Sequence, residues 1–148
     1  MQLNECINFM LSRVQNSVFS YFKNQLSPYD ITPAQYSILK CLWDNGEQVP
    51  TQLSQFLFLD NSTISSILAR MENKGLVERI HSEIDRRSVT VRIKPEGEKL
   101  KADIELVIHQ ANTQILAAFD ESEKAILRQY ISRITEQIDC INKGEPTK

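Results

Sequence analysis

The sequence predicts a mainly α-helical fold with a small two-stranded β-sheet. Three observations lead there. Only four glycines and five prolines interrupt the 148 residues. Apolar residues recur every three or four positions over long stretches, which is the spacing of one helical face. One segment, "SVTVRI" (88–93), instead alternates apolar with polar, the period of a strand.

The elements follow in order. Ile7, Leu11, Val14, Val18, Tyr21, Phe22 and Leu26 line one side of a helix from Glu5 to Leu26. At about 1.5 Å per residue it is roughly 33 Å long, and "SPYD" breaks it. Thr32 is placed to cap a second helix, Pro33 suits its first turn, and Gly46 stops it. Its apolar side is Ile38, Leu39, Leu42 and Trp43, and "QVP" follows as a short link. A third helix, Thr51 to Phe58, points Leu53, Phe56 and Leu57 inward. "LDNS" makes a turn. Asn61 or Ser62 caps a fourth helix, which runs to Lys74 on an apolar face of Ile64, Ile67, Leu68 and Met71. Gly75 suits a left-handed helix end. "LVERI" and "SVTVRI" then form a hairpin whose glycine-free link, 82–87, favours a longer loop over a tight turn. From Pro95 one helix runs through Leu100, Ile104, Val107, Ile108, Ala111 and Ile115 to Phe119. Asp120, with Glu123 three residues on, caps the last helix. Its apolar side is Ile126, Leu127, Tyr130, Ile134, Ile138 and Ile141.

Composition bounds the function. A hydrophobic share of 41% and a charged share of 24% are those of an ordinary globular chain, and the length suits one domain, 1–148. Three widely spaced cysteines, Cys6, Cys41 and Cys140, form neither a disulfide framework nor a zinc pattern. No signal peptide and no run of about 18 apolar residues is present. The expectation is a cytoplasmic protein without membrane association, metal or cofactor. No nucleophile–base pair, paired carboxylates or phosphate-cradling glycine loop points to an enzyme.

A helix, a helix–turn–helix and a hairpin in succession make a winged helix-turn-helix core, 32–94. Its recognition helix is 62–74 and its wing 77–93. A helix fits the DNA major groove, where base edges carry a distinct code. The net charge of −2 argues mildly against nucleic acid, but its distribution does not. Residues 62–94 hold seven basic against four acidic side chains, so this segment is +3 and the remainder −5. Phosphate contacts position such a head and base contacts specify. The candidate DNA-binding residues are Ser62, Thr63, Ser65, Ser66 and Arg70 on the recognition helix, with Lys74 at its end and Arg79 beyond it. Thr51 and Gln52 begin the preceding helix, where backbone N–H groups can hold a phosphate. The long flanking helices, 5–30 and 98–141, are more than the core needs, and pairing with a second copy would bury their apolar faces. A homodimer is expected.

The chain resembles the MarR family of transcriptional regulators over about residues 5–140. The resemblance rests on "ITPAQYSIL", "STISSILARMENKGLVER" and "DRRSVTVRIKPEGEKL", with Asp85, Arg87 and Gly97 matching the last motif. It implies a homodimeric repressor of a palindromic double-stranded DNA operator, released by a signal. It also implies that Arg87 enters the minor groove at the wing tip, held by Asp85 through a charge-assisted pair, while Arg86 meets a phosphate. Two departures stand out. Lys94 replaces a usual threonine before Pro-Glu-Gly, and Ser65-Ser66 replaces a frequent Thr-Arg, which bears on the operator sequence. The signal in similar proteins is a small aromatic or anionic effector, or an oxidant acting on an N-terminal cysteine. Cys6 is the candidate for a thiol-based peroxide sensor. It lies two residues from the matching position, Asn8, and the tyrosines of that branch are replaced by Ser12, Phe22 and Pro33. Tyr21, Phe22, Tyr36 and Trp43 suit a core better than a ligand pocket. The rival from another class is a helical interaction protein that has lost DNA binding.

Overall fold

A computed structural model describes residues 2–85 and 88–144. The chain order is α1 (Ile7–Leu26), α2 (Pro33–Asn45), α3 (Pro50–Leu57), α4 (Asn61–Asn73), β1 (Val77–His81), β2 (Val89–Ile93), α5 (Pro95–Lys99), α6 (Lys101–Ile115) and α7 (Glu121–Lys143). Two short 3-10 turns, Leu3–Glu5 and Ser27–Tyr29, flank α1. The chain divides after Ala111 into two compact units.

The first unit holds one core. Its fully buried side chains include Ile38, Leu39 and Leu42 of α2, Leu53 of α3, Ile64, Leu68 and Met71 of α4, Val77 and Val91 of the hairpin, and Ile104 of α6. The helix boundaries follow local chemistry. The Thr32 hydroxyl accepts from the Gln35 amide at 3.2 Å, and the Gln35 carboxamide accepts from the Thr32 amide at 3.2 Å. This reciprocal cap satisfies two N–H groups that a helix start leaves unpaired. At the end of α4, Gly75 takes φ +71°. Gly75 N–H donates to Glu72 O at 2.9 Å and Leu76 N–H to Met71 O at 3.0 Å. That is the Schellman pairing, for which glycine is suited because it has no Cβ.

The hairpin is antiparallel, with Val77 opposite Ile93, Arg79 opposite Val91 and His81 opposite Val89. The "QVP" link is more than a link. Gln48 and Val91 exchange two backbone hydrogen bonds, of 3.2 and 2.8 Å, so a third segment joins the sheet at one residue. Gly97 explains its place in the motif by packing. A Cβ there would lie 2.4 Å from the Leu76 carbonyl oxygen and 2.9 Å from Cγ1 of Ile93. Only glycine lets α5 approach the base of the hairpin this closely.

Three expectations change. Phe56 does not point inward: it is 65% exposed, and Leu53 alone of α3 is buried. Leu57, four residues after Leu53 and on the same face, packs against the core as expected, and Phe56 lies off that face. The single helix expected over 95–119 is two. Leu100 interrupts it with ψ −15°, away from the helical value, and Leu100 packs on the core while α6 carries Ile104, Ile108 and Ala111 inward. The helix also ends at Ile115, where hydrogen bonds shorten to Ala117 N–H with Gln114 O and Phe119 N–H with Leu116 O. Finally, Trp43 is only partly buried against the core, while Cys41, expected as a small core residue, is buried on the same helix. In the second unit the predicted Asp120–Glu123 cap forms, at 2.8 and 2.9 Å.

Candidate nucleic-acid interface

The first turn of α4 is built around Asp60. Its carboxylate accepts from the Thr63 amide at 2.7 Å, the Ser62 hydroxyl at 2.6 Å and the Thr63 hydroxyl at 2.8 Å. These bonds, the Ser62 hydroxyl first, bring the Asp60 carboxyl down to about 2. The helix starts one residue earlier than expected, and neither Asn61 nor Ser62 is the cap. Asp60, Asn61 and Ser62 are all good capping residues in a row, so local preference alone did not pick the first. Beyond the cap, Ser62, Ser65, Ser66 and Arg70 are exposed, opposite the buried Ile64, Ile67, Leu68 and Met71. Thr63 is half-buried. One side of α4 is therefore apolar and covered, while the other is a strip of hydroxyls ending in a guanidinium.

Other basic residues have partners within the fold. Lys74 Nζ lies 3.1 Å from an Asp30 carboxylate oxygen and 3.3 Å from Gln35 Oε1, and also donates to the Asp30 carbonyl. It ties the end of α4 to the approach of α2. Arg79 holds Glu72 through Nη2 at 2.6 Å and Nε at 2.9 Å, and its backbone N–H reaches the same carboxylate at 2.9 Å. This bidentate pair keeps the Glu72 carboxyl below its ordinary range and joins α4 to β1. Arg92 pairs with Glu47 at 2.5 Å and more distantly with Glu78 at 3.8 Å. Among the described residues of 62–94, Arg70 and Lys94 are the cations without an ion-pair partner. The charge count of 62–94 therefore overstates the cationic surface, because Lys74, Arg79 and Arg92 are already paired within the fold, a distinction that charge counting missed.

The start of α3 and the wing meet across a cleft of about 380 Å³, lined by Val49, Pro50, Thr51, Ser88 and Val89. Thr51 is exposed at its edge, in the unpaired first turn of α3. The Gln52 carboxamide oxygen turns back to accept from Val49 N–H at 2.9 Å. The wing loop is closed by Ser82 N–H donating to Ser88 O, and by Ser88 N–H donating to Asp85 O, each at 2.9 Å. The Ser82 hydroxyl oxygen accepts from the amides of Ile84 and Asp85 at 3.2 and 3.3 Å. Ser82, whose hydroxyl accepts from these amides, was the available signal for this closure. Arg86 and Arg87, expected at the tip, lie outside the described residues.

The remaining candidates are spread through the chain. Cys6 caps α1 and is half-buried, while Cys41 is buried, and burial raises its thiol. Among the described residues, no helix is long and apolar enough to cross a membrane, and no cluster of three or more His, Cys, Asp or Glu could hold a metal.

A buried helix pair, a second helix with a solvent-facing polar strip and a hairpin hinged on its end define a winged helix-turn-helix protein. Comparison with known proteins gives the family. The MarR family model matches residues 31–89. The organic hydroperoxide resistance transcriptional regulator of Bacillus subtilis (strain 168) is 33% identical over 101 residues, 68% of this chain and 69% of that protein. A probable transcriptional regulator from Pseudomonas aeruginosa has a similar structure, with TM-score 0.82, 26% identity, and coverage of 90% of this chain and 99% of the other. The transcriptional repressor CouR, solved bound to a 23-mer DNA duplex, gives TM-score 0.82 at 25% identity, covering 90% and 95%. The chain belongs to the MarR family. It is a DNA-binding transcriptional regulator, not an enzyme.

Proposed function

We propose that this regulator is a homodimeric repressor that reads a palindromic operator with α4 and brackets it with its wings. The observation that carries the reading is the uncovered polar strip of α4, with Arg70 free at its end and its start stiffened by Asp60. Ser62, Thr63, Ser65, Ser66 and Arg70 face base edges and nearby phosphates in the major groove. Thr51, and Gln52 through the helix start it caps, receive a phosphate beside the wing cleft. Arg87 enters the minor groove, Asp85 orients it and Arg86 meets the backbone, as the family motif supports. Lys74 and Arg79 act through position, holding α4 against α2 and β1. Two recognition helices about one DNA turn apart, roughly 34 Å, read the two half-sites.

The dimer reading is supported by the apolar sides of α1 and α7. Ile7, Met10, Leu11 and Val14 are exposed on the first, and Ile126, Ile131, Ile138 and Ile141 on the second. The protein works in the cytoplasm, and a small aromatic or anionic effector releases it. Oxidation of Cys6 is the alternative trigger, favoured by its half-buried place at the start of α1 and by the kinship with a hydroperoxide regulator.

The test is a binding titration against DNA from upstream of its own coding region, at two salt concentrations with random DNA as competitor. Tight, salt-sensitive binding that survives the competitor is expected. Arg87→Ala should weaken it and reduce the salt slope by about one. An unchanged slope would remove the wing from the mechanism, and binding no better than to the competitor would remove the operator.

A further inference from the structure

One residue of the reading head has no role in what has been assigned so far. Phe58 closes α3 with φ +54° and ψ +40°, in the left-handed region. That conformation favours glycine, and a bulky side chain there is a steric outlier. The ring is also 87% exposed. Strain and an apolar ring left in water are both unfavourable, and glycine would remove both. Such outliers persist where the surroundings over-determine them and are often functional.

The surroundings do hold it. The amides of Phe58 and Leu59 both donate to Ser54 O, and the Ser54 hydroxyl donates to Leu59 O at 2.5 Å. Leu59 leads directly to the Asp60 cap, so the ring is presented by a fixed turn just ahead of the polar strip of α4. No charged side chain occurs from Pro50 to Leu59, and the Asp60 carboxylate is already taken by three donors. A contact made by this turn is therefore nonionic.

We propose that the Phe58 ring is a nonionic DNA contact, packing on the apolar edge of the duplex, thymine methyl or deoxyribose, beside the first turn of α4. The proposal rests on the DNA-reading role given above. Apolar contact with thymine methyl is one of the ways the major groove is read. Because such a contact displaces no counterions, it adds affinity without adding to the salt slope.

The test uses the full chain, with Phe58→Gly and Phe58→Asn. Both residues accept the left-handed backbone, and both delete the ring. Thermal unfolding and DNA titration at two salt concentrations are read for each. The expected result is an unfolding midpoint at or above wild type, affinity lower by about tenfold and an unchanged salt slope. Deoxyuridine in place of thymidine then separates the two apolar sources: the wild-type advantage vanishes if the methyl is the contact and persists if the sugar is. Wild-type affinity in both variants overturns the proposal and leaves the ring for a protein partner. A lowered midpoint overturns it too, making the ring a structural prop. A wild-type protein that does not prefer this DNA over random competitor would sink the underlying operator reading instead.

Discussion

In α4, Ile64, Ile67, Leu68 and Met71 are all buried, whereas in α7 none of 23 residues is. Both helices repeat apolar residues at three- and four-residue spacing, so periodicity does not separate them. The difference lies in what each face meets. The α4 stripe closes against α2, α3 and the hairpin within one chain. The α7 stripe, including Ile138 at 50% exposure, has no cover of that kind. Long contiguous apolar strips left open mark interaction surfaces more often than chance exposure. The contrast separates residues that make the fold from the residues to which the proposed dimer assigns a partner.

The sharpest way to break this contrast is Ile138→Asp. Wild type should sediment as two chains, and the variant as one, with dimer dissociation raised roughly 100-fold or more, since an apolar contact is lost and a carboxylate would be buried. Its core should unfold as before. A wild-type mass of one chain would refute the dimer face. Leu68→Ala should do the reverse. Leu68 is fully buried, so urea unfolding should lose about 2–5 kcal/mol while the chains still pair at temperatures where the variant is folded. Equal effects of the two substitutions on unfolding would erase the distinction.

The smallest effect concerns the strut between α4 and β1. Arg79 holds the Glu72 carboxyl below its ordinary value. A carboxylate so depressed stabilises the fold fully above its unfolded pKa and loses that contribution as pH falls through the folded one. Wild type should therefore exceed Glu72→Gln in stability by about 1 kcal/mol near neutral pH, a modest figure because the pair is partly solvated. The gap should close under acid, as followed by urea midpoints from pH 7 to pH 3. A gap that is constant with pH would mean that packing, not the ion pair, sets it.

Much of the fold was legible from short-range rules. Thr32, Gly46, Gly75 and Asp120 lie where capping preferences put them, because each acts through hydrogen bonds spanning three to five residues. The alternation of Val89, Val91 and Ile93 placed the second strand for a similar reason. Of the candidate site, the placement of hydroxyls and Arg70 off the apolar face of α4 was legible. Its geometry was not. Asp60 takes the cap over Asn61 and Ser62, its carboxylate accepting from the Thr63 amide and from the hydroxyls of Ser62 and Thr63. Phe56 turns outward because Leu53 and Leu57, four residues apart, take the face of α3 that meets the core.

What remained hidden involves partners distant in the chain. Lys74 meets Asp30 across 44 residues, and Arg92 meets Glu47 across 45. Gln48 bonds Val91, and Gly97 approaches Leu76. Sequence periodicity and capping describe the free energy of neighbours within a turn or two, and from these came the helices, the hairpin and the basic segment. Which cations are neutralised and which stay unpaired depends on closures that the core makes. That division among Lys74, Arg79, Arg92 and Arg70 exists only once the helices have packed.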